Sequence, residues 1–437
     1  MIVRRLFVIC AGFAIFAGFL SADNVVILPK SHESYSPSIA DGARGRVDSS
    51  LQDSRESILK SNTATLQKFS IKSKNLPQIA PNHTPSIALP KPKNAKIITI
   101  SFVGDIILGD YLGAEGATFD AKFAEVKGNF RYFGSGVSAI LQNDDLTIGN
   151  LEGVLSDKRL AVAKDKSFVF KGRESYAKIL RFAGVDLVNL ANNHTSDYGA
   201  QGLKDTMNAL QKARVRFFGE ENVALIRIKG VKLGFAGEKG WGLWAKEAIK
   251  RDIESLRKKG AEIVIFSFHF GVEKSNTPNA IQRELAHFAI DNGADLVVAH
   301  HPHSLQGIEE YKGKKIAYSL ANFIYCGSKR GGDKDSMIYQ AQFIFSDELQ
   351  NKVGANLWCD ECDNNFVNSL KSIDALGKNA IVVHNIIPIS VSSSDLLNDY
   401  RPQIYPKNSE GFGRIMKRLS EYSEVIMASD LALDSDE

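Results

Sequence analysis

The sequence predicts an α/β fold in which two β-sheets pack together and helices cover their outer faces. Three observations support this prediction. Helical segments alternate with strongly apolar strands, glycines follow the ends of the helices, and a β-rich stretch follows the last of these units. Near-continuous apolar strands between helices are typical of sheets covered on both faces. The later strands suggest a second sheet.

Composition excludes some classes of protein. The chain has 437 residues, with 54 basic and 50 acidic side chains and a net charge of +4. Its hydrophobic fraction of 44% is ordinary for a globular protein. We therefore expect no nucleic-acid partner, while the oligomeric state stays open.

The N-terminus predicts export. Arg4 and Arg5 precede an apolar run over residues 6–20, followed by the small residues Ser21 and Ala22. This pattern is typical of a secretory signal peptide, and the run is shorter than the roughly 20 residues that cross a bilayer. Residues 1–22 are thus a signal peptide or a retained N-terminal anchor. The folded part is predicted to lie in the periplasm, at the cell surface, or anchored outside the cytoplasm.

A proline-rich tether is predicted over residues 23–96. It contains seven of the twelve prolines, mixed with serine, lysine and asparagine. Such a composition buries too little apolar surface to offset the entropy of ordering. We expect this segment to give the folded part reach from a membrane or cell wall.

The main domain is predicted to span residues 97–394, beginning with a strand that ends at Gly104–Asp105. Helix, glycine and apolar strand then repeat, with helices predicted at 135–143, 174–183, 245–259 and 278–292. A hairpin is predicted at 221–237, with Lys229–Gly230 at its turn. Further strands are predicted at 314–325, 337–345 and 379–391. From 395 to 437 we expect a peripheral tail with one helix at 411–422.

Each apolar strand ends in side chains that can bind a metal ion. These residues are Asp105, Glu152, Asn193, His194, His269, His301 and His303. Functional groups of α/β sheets collect beyond the carboxyl ends of the strands, so we expect them to meet. A single histidine at a strand end is more often structural, but five strand ends carry ligand-type residues. The mixed N/O set suits one or two ions of Mn, Fe or Zn.

The cysteines indicate no catalytic role. Cys359 and Cys362 form WCDEC, for which a short-loop structural disulfide is favoured over a redox site because acidic neighbours disfavour a thiolate. Cys326 is then unpaired, unless the connectivity differs.

Six motifs carry a family resemblance. VGDIIL, GNLEG, ANNHTSDYG, FHFGVE, HHPH and SLANFIY occur in this order over residues 97–327. Together they resemble the bacterial poly-γ-glutamate capsule biosynthesis (CapA-like) family, which is similar to calcineurin-like metallophosphoesterases. The resemblance implies a four-layer α/β/β/α sandwich with a dinuclear metal site.

The resemblance also implies residue roles. It makes Asn193 and His269 ligands of the first ion with Glu152 and His301, and it makes Asp105, Glu152 and His303 the ligands of the second. His194 matches a proton-donating histidine, Asp197 would orient it, and Glu273 is a further acid/base candidate. Phosphoesterases carry DxH at the first strand, whereas Ile106 and Ile107 follow Asp105 here. We therefore expect the second ion to be weaker or absent.

Three functions remain open at this stage. The first is an exported metal-dependent hydrolase or transferase that acts in synthesis, release or anchoring of poly-γ-glutamate, capsule or a related envelope polymer, or on its precursor. A metal-activated water would then attack the substrate, with His194 as general acid. The second is a metal-dependent phosphoesterase. The third is a non-catalytic envelope assembly factor with a structural metal.

Overall fold

The computed structural model describes residues 95–163, 166–327, 333–346, 373–375 and 380–433. The predicted signal peptide or anchor, nearly all of the predicted tether and the Cys359–Cys362 pair lie outside these residues. The predictions made for them stay predictions.

Two large sheets form the centre of the protein. The strands, in chain order from β1 to β17, are Lys96–Ile106, Asp110–Tyr111, Leu146–Leu151, Val154–Leu155, Phe170–Gly172, Leu187–Asn189, Arg216–Phe218, Ala224–Ile228, Val231–Lys239, Ile263–His269, Leu296–His300, Ile308–Tyr311, Lys314–Ala317, Asp335–Phe345, Ile373–Ala375, Ala380–Ser390 and Gln403–Ile404. In the first sheet, the strand order is β15-β16-β14-β1-β3-β6-β7, with β17 paired to β16; in the second it is β12-β13-β11-β10-β9-β8. A small third sheet has the order β2-β5-β4.

Helices cover the outer face of each large sheet. The α-helices, from α1 to α7, are Phe119–Glu125, Ser138–Leu141, Ala177–Ala183, Gly199–Lys212, Lys246–Lys258, Ala280–Asp291 and Glu410–Leu433. One apolar cluster joins α3 and α4 to the first sheet, and another joins α5 and α6 to the second. A third cluster fills the space between the sheets. The layers are therefore helix, sheet, sheet, helix, which confirms the predicted α/β sandwich.

Alternation along the strands explains the central core. Ile98, Ile100 and Phe102 of β1 point to the same face, as do Ile263 and Ile265 of β10, and all lie between the sheets. The opposite faces of both strands pack under helices. Because both faces are buried, these strands lack the polar alternation of a half-exposed sheet.

Glycines end three of the predicted helices. Gly184, Gly260 and Gly293 have φ angles of 101°, 84° and 107°, in the left-handed region that glycine adopts without a Cβ clash. The chain reverses at each of them and enters a strand of the parallel part of a sheet. The helical prediction over 174–183 is confirmed only in part as α-helix, because its first turn is a 3₁₀ helix.

The predicted hairpin is also present. β8 and β9 pair in antiparallel fashion, with Ile228 opposite Val231. The two turn residues, Lys229 and Gly230, both have positive φ angles of 48° and 89°. This conformation matches the type I′ turn, whose twist suits a two-residue hairpin.

Two predictions about the C-terminal part are wrong. The β-rich tail does not build a second sheet, because β14 pairs with β1 and β16 with β14 in the first sheet. The tail from residue 395 is not peripheral either. Ile415 and Leu419 of α7 are fully buried in the core between the sheets.

No helix within the described ranges is both long enough and apolar enough to cross a membrane.

Candidate metal centre

Five strands from both large sheets end at the site. β1, β3 and β6 run parallel in the first sheet, and β10 and β11 run parallel in the second. The carboxyl ends of parallel strands lie at the same edge of a sheet. The structure brings together these side chains from the five strand ends: Asp105, Glu152, Asn193, His194, His269, His301 and His303.

One group of possible ligands surrounds His269. Its Nε2 atom lies 2.7 Å from Asn193 Oδ1, 3.1 Å from His301 Nδ1 and 3.5 Å from Glu152 Oε1. Glu152, His269 and His301 are all buried and could hold one ion. This is the set that the resemblance assigns to the first ion.

Asp105, Glu152 and His303 form a second group that could hold an ion. His303 Nε2 lies 3.8 Å from Glu152 Oε2, and its Nδ1 lies 3.2 Å from Asp105 Oδ2. Glu152 therefore presents one oxygen to each group, as a bridging carboxylate would.

The two carboxylates differ in their hydrogen bonds. Asp105 accepts from the Asn150 side chain at 2.8 Å and from the His301 backbone N–H at 3.1 Å. Both oxygens of Glu152 are buried and have no hydrogen-bond partner among the residues that the structure describes. A buried carboxylate without donors is costly unless a cation compensates it, so the cation-binding capacity of the site centres on Glu152.

The loop that carries the histidines has an unusual backbone. His301 and His303 have φ angles of 100° and 53°, a region that residues with a Cβ rarely adopt. The His301 N–H bond to Asp105 holds this conformation. Close packing also positions β1, since a Cβ on Gly104 would lie 2.2 Å from the Ala321 carbonyl oxygen. Strain of this kind is commonly found at functional sites.

Burial and charge shift the pKa values of the site. Burial lowers the pKa of His301 to about 3 and that of His300 to about 4, which leaves both imidazoles neutral. Burial also acts to lower the pKa of His303, but the charges of Glu152 and Asp105 raise it to about 9. For Glu152 and Asp105, burial favours the neutral form, yet the neighbouring histidines hold both pKa values below their usual range.

His194 lies beside the ligand groups with its ring oriented by a carboxylate. Its Nδ1 lies 2.8 Å from Asp197 Oδ2, and its Nε2 lies 3.8 Å from Glu152 Oε1. Asp197 also accepts hydrogen bonds from Lys166 and from the Phe170 backbone N–H. Since a carboxylate accepts hydrogen bonds, the Nδ1–H of His194 donates to Asp197, and Nε2 is turned towards the site.

One predicted residue lies apart from the groups. Glu273 is exposed, and among the described residues its side chain makes no hydrogen bond or ion pair with the site. Its acid/base role stays a prediction. His300, the first histidine of HHPH, is buried beside the second group, with its Nδ1 atom 3.5 Å from Asp105 Oδ1.

The residues that contact the site but were not predicted include two asparagines, a tryptophan and a lysine. Asn150 lies 3.1 Å from His269 Nδ1, and Asn322 binds both the ring and the backbone carbonyl of His303. The Trp241 ring lies 4.6 Å from that of His301, and Lys166 contacts Asp197. Asn150 and Asn322 lie within the quoted motifs GNLEG and SLANFIY, so their motifs were a usable signal. Trp241 and Lys166 lie outside every motif.

The residues present fit a divalent ion. The unpartnered Glu152 oxygens, two imidazoles and an amide oxygen form a buried N/O donor set that contains no thiolate. Such sets bind Mn²⁺, Fe²⁺ or Zn²⁺ and do not select among them by ligand type alone.

The two-sheet α/β architecture is that of a metallophosphoesterase-like protein. The chain belongs to the family described as bacterial capsule synthesis protein PGA_cap, whose model matches residues 99–326, more than half of its length. It is similar to the PGA biosynthesis protein CapA of Bacillus subtilis (strain 168), with 34% identity over 52% of this chain and 63% of that protein. It is also similar to the capsule biosynthesis protein CapA of Bacillus anthracis, with 31% identity over 55% of this chain and 63% of that protein. The matched part thus spans less than two thirds of either relative.

Proposed function

We propose that this is an exported protein that acts in the synthesis, release or anchoring of a capsular or related envelope polymer, with poly-γ-glutamate as the first candidate. We further propose that it is a metal-dependent hydrolase or transferase. The family match and the similarity to CapA proteins support the choice of this polymer as the candidate substrate or product. The observation that supports the chemistry is the Glu152 carboxylate, buried without a hydrogen-bond donor among imidazoles.

The ligand groups provide the chemistry of the proposed reaction. Glu152, Asn193, His269 and His301 would hold the first ion, and a bound divalent ion supplies Lewis acidity toward an amide, ester or phosphoryl oxygen. His194 is the proposed general acid, because Asp197 holds its Nδ1 and its Nε2 faces the ligand groups. Asp197 and Lys166 position this imidazole.

Metal binding is the first test. Purified full-length protein is dialysed against a chelator and titrated with Mn²⁺, Fe²⁺ or Zn²⁺ by calorimetry, with elemental analysis of the untreated protein. Glu152→Gln keeps the shape of the side chain and should abolish binding to the first group. Glu309→Gln is the matched control, since Glu309 is also buried but is hydrogen-bonded to His287 and Tyr318. Wild-type affinity in Glu152→Gln would remove the basis of the proposal.

Substrate assays separate the reaction classes. Poly-γ-glutamate and generic phosphodiesters are incubated with the metal-loaded protein, and the new amines of the polymer or the alcohol released from the diester are measured. We expect the polymer to be cleaved or transferred, and His194→Gln to reduce the rate about 10²- to 10⁴-fold, as loss of a general acid does. Full activity of His194→Gln would exclude its proposed role. Turnover of phosphodiesters alone would favour the phosphoesterase, and metal binding with no turnover of either would favour an assembly factor.

A further inference from the structure

Exposed apolar side chains concentrate at one end of the protein. Among the described residues, eleven large hydrophobic side chains are exposed, and ten of them lie on segments at the carboxyl ends of the strands, where the metal centre is. The opposite edge is polar and carries residues such as Gln142, Arg214, Lys229 and Lys259. Singly scattered apolar residues are normal on a protein surface, but a concentration around a site indicates an interaction surface.

Six of these side chains define what we call the apolar rim: Leu112, Phe168, Trp241, Leu243, Trp244 and Val272. Three come from the segment after β9, where Trp244 is 63% exposed and Leu243 is 48% exposed. Val272 follows β10, whereas Leu112 and Phe168 flank strands of the small sheet. Trp241 joins the rim to the centre, since its ring contacts those of His269 and His301.

We propose that the apolar rim inserts into the surface of a phospholipid bilayer, so that the metal centre opens towards the membrane. Tryptophan favours the bilayer interface because its ring is apolar and its N–H can bond to headgroups or water. Leucine, phenylalanine and valine beside it add buried apolar area.

The segment that contains Phe168 adds basic side chains beside one part of the rim. Among the described residues of the segment 157–173, which contains Phe168, five side chains are basic (Lys158, Arg159, Lys166, Lys171 and Arg173) and only Asp157 is acidic. Lys158, Lys166 and Arg173 are paired with aspartates. Arg159 is exposed, and within the described ranges the Lys171 ammonium contacts a backbone carbonyl and the Tyr198 ring but no carboxylate. Basic residues near a bilayer are attracted by anionic headgroups.

The length of chain before β1 permits this orientation. β1 begins at the edge opposite the rim, and its 11 residues span about 36 Å. The segment 23–94 would span at most about 240 Å when extended. An anchor in residues 1–22 therefore allows the rim to reach the same membrane. The inference rests on the proposed export but not on the identity or presence of the metal.

Tryptophan quenching by lipid tests the rim separately from any N-terminal insertion. The full chain contains three tryptophans, so Trp241→Phe with Trp358→Phe leaves Trp244 as the only emitter. This protein is mixed with vesicles of phosphatidylcholine and phosphatidylglycerol that carry brominated acyl chains, which quench only tryptophans in contact with them. We expect strong quenching and a blue shift of Trp244 emission.

The helix that follows Trp244 provides the position for a matched control. α5 begins just after Trp244 at the rim and ends at Lys258, which is exposed at the opposite edge and about 20 Å away. A protein in which all three tryptophans are replaced by phenylalanine and Lys258→Trp supplies the reporter should be quenched little. Absence of quenching at Trp244, or equal quenching at both positions, overturns the proposal.

A second measurement tests how much the apolar rim contributes to vesicle binding. Leu243→Ser should weaken partitioning into these vesicles about tenfold, the scale for burying one leucine side chain. Lys258→Ser is its control and should leave partitioning unchanged. Metal affinity is measured in the same proteins, so that a failed metal centre and a failed membrane contact give different results.

Discussion

The backbone at His301 offers a sensitive test of the site, because replacing this residue separates its strain from its ligand role. His301 has a φ of 100° and is 7% exposed. His301→Ala and His301→Gly both remove the imidazole, but only the glycine variant also removes the Cβ. A left-handed conformation costs a residue with a Cβ about 1–2 kcal/mol. Glycine also destabilises the folded state by about 0.4–1 kcal/mol relative to alanine, because it increases the conformational entropy of the unfolded chain.

At the middle of these two ranges, the glycine variant should be more stable than the alanine variant by about 0.8 kcal/mol in its free energy of unfolding. Chelator-treated proteins are unfolded in urea and followed by circular dichroism. His300 provides the matched control, since it ends β11 without a positive φ. There the order should reverse, with His300→Gly less stable than His300→Ala.

Metal addition extends the same experiment. An ion at 100 times its dissociation constant stabilises the wild type by about 2.7 kcal/mol, because it binds only the folded state. Neither His301 variant should gain this increment. Equal stability of the alanine and glycine variants would refute backbone strain at His301. If metal stabilises either variant as much as it stabilises the wild type, His301 is not a ligand.

Three further predictions concern other parts of the site and fold. Asn322→Ala frees the ring of His303, so calorimetry should show about 10- to 100-fold weaker binding at the second group, with binding at the first group unchanged. Burial acts to raise the pKa of Glu309, but its hydrogen bonds lower it overall. The charged Glu309 side chain therefore stabilises the fold fully above pH 4.5, its pKa in the unfolded chain, and this contribution declines as the pH falls below that value. In this pH range the free energy of unfolding in urea should depend less on pH for Glu309→Gln than for the wild type. An identical dependence would contradict the prediction. Gly104→Ala should destabilise the protein by about 1–3 kcal/mol, because the added Cβ would clash with the backbone of Ala321. In Gly413→Ala the added Cβ meets nothing within 4 Å, so this variant should stabilise α7 by about 0.5–1 kcal/mol. Thermal unfolding of the two variants checks both signs.

Local sequence patterns predicted the elements better than their assembly. The apolar runs that became β10 and β11 and the glycine after α6 are local signals, because burial and backbone freedom act on a few neighbouring residues. Which sheet a strand joins depends on contacts far apart in sequence. β14 pairs with β1 across more than 200 residues, and nothing in either strand alone specifies that partner.

Two helices were not predicted, namely α1 and α4, and in α4 the glycines near its start weaken the local helix signal. α4 begins at Gly199 and contains Gly202, and glycine costs about 1 kcal/mol in a helix interior relative to alanine. Packing explains the second glycine, since a Cβ there would lie 2.9 Å from the Tyr198 Cβ and 3.1 Å from Val154. Glycine at this position therefore permits close packing of α4 against the small sheet, at the cost of a lower helix propensity.

The candidate site was predictable to the extent that ligand-type residues end successive strands. The grouping of Glu152 with His269 and His301 depended on the family resemblance, and the structure brings those atoms together. The positioning residues were not predictable in the same way. Asparagine is common in turns, so only the three-dimensional contacts of Asn150 and Asn322 distinguish them from turn formers.

The hydrogen bonds of the two carboxylates indicate how the two ligand groups differ. Asp105 is satisfied by donors from Asn150 and the His301 backbone, so its carboxylate stabilises the loop whether or not an ion is bound. Glu152 has no such donors, and its charge is offset in the metal-free protein chiefly by His303, whose pKa it raises. An ion at the first group would take over that compensation. We therefore expect a first ion to bind through Glu152 and a second to compete with the proton on His303, which makes the second group the weaker one.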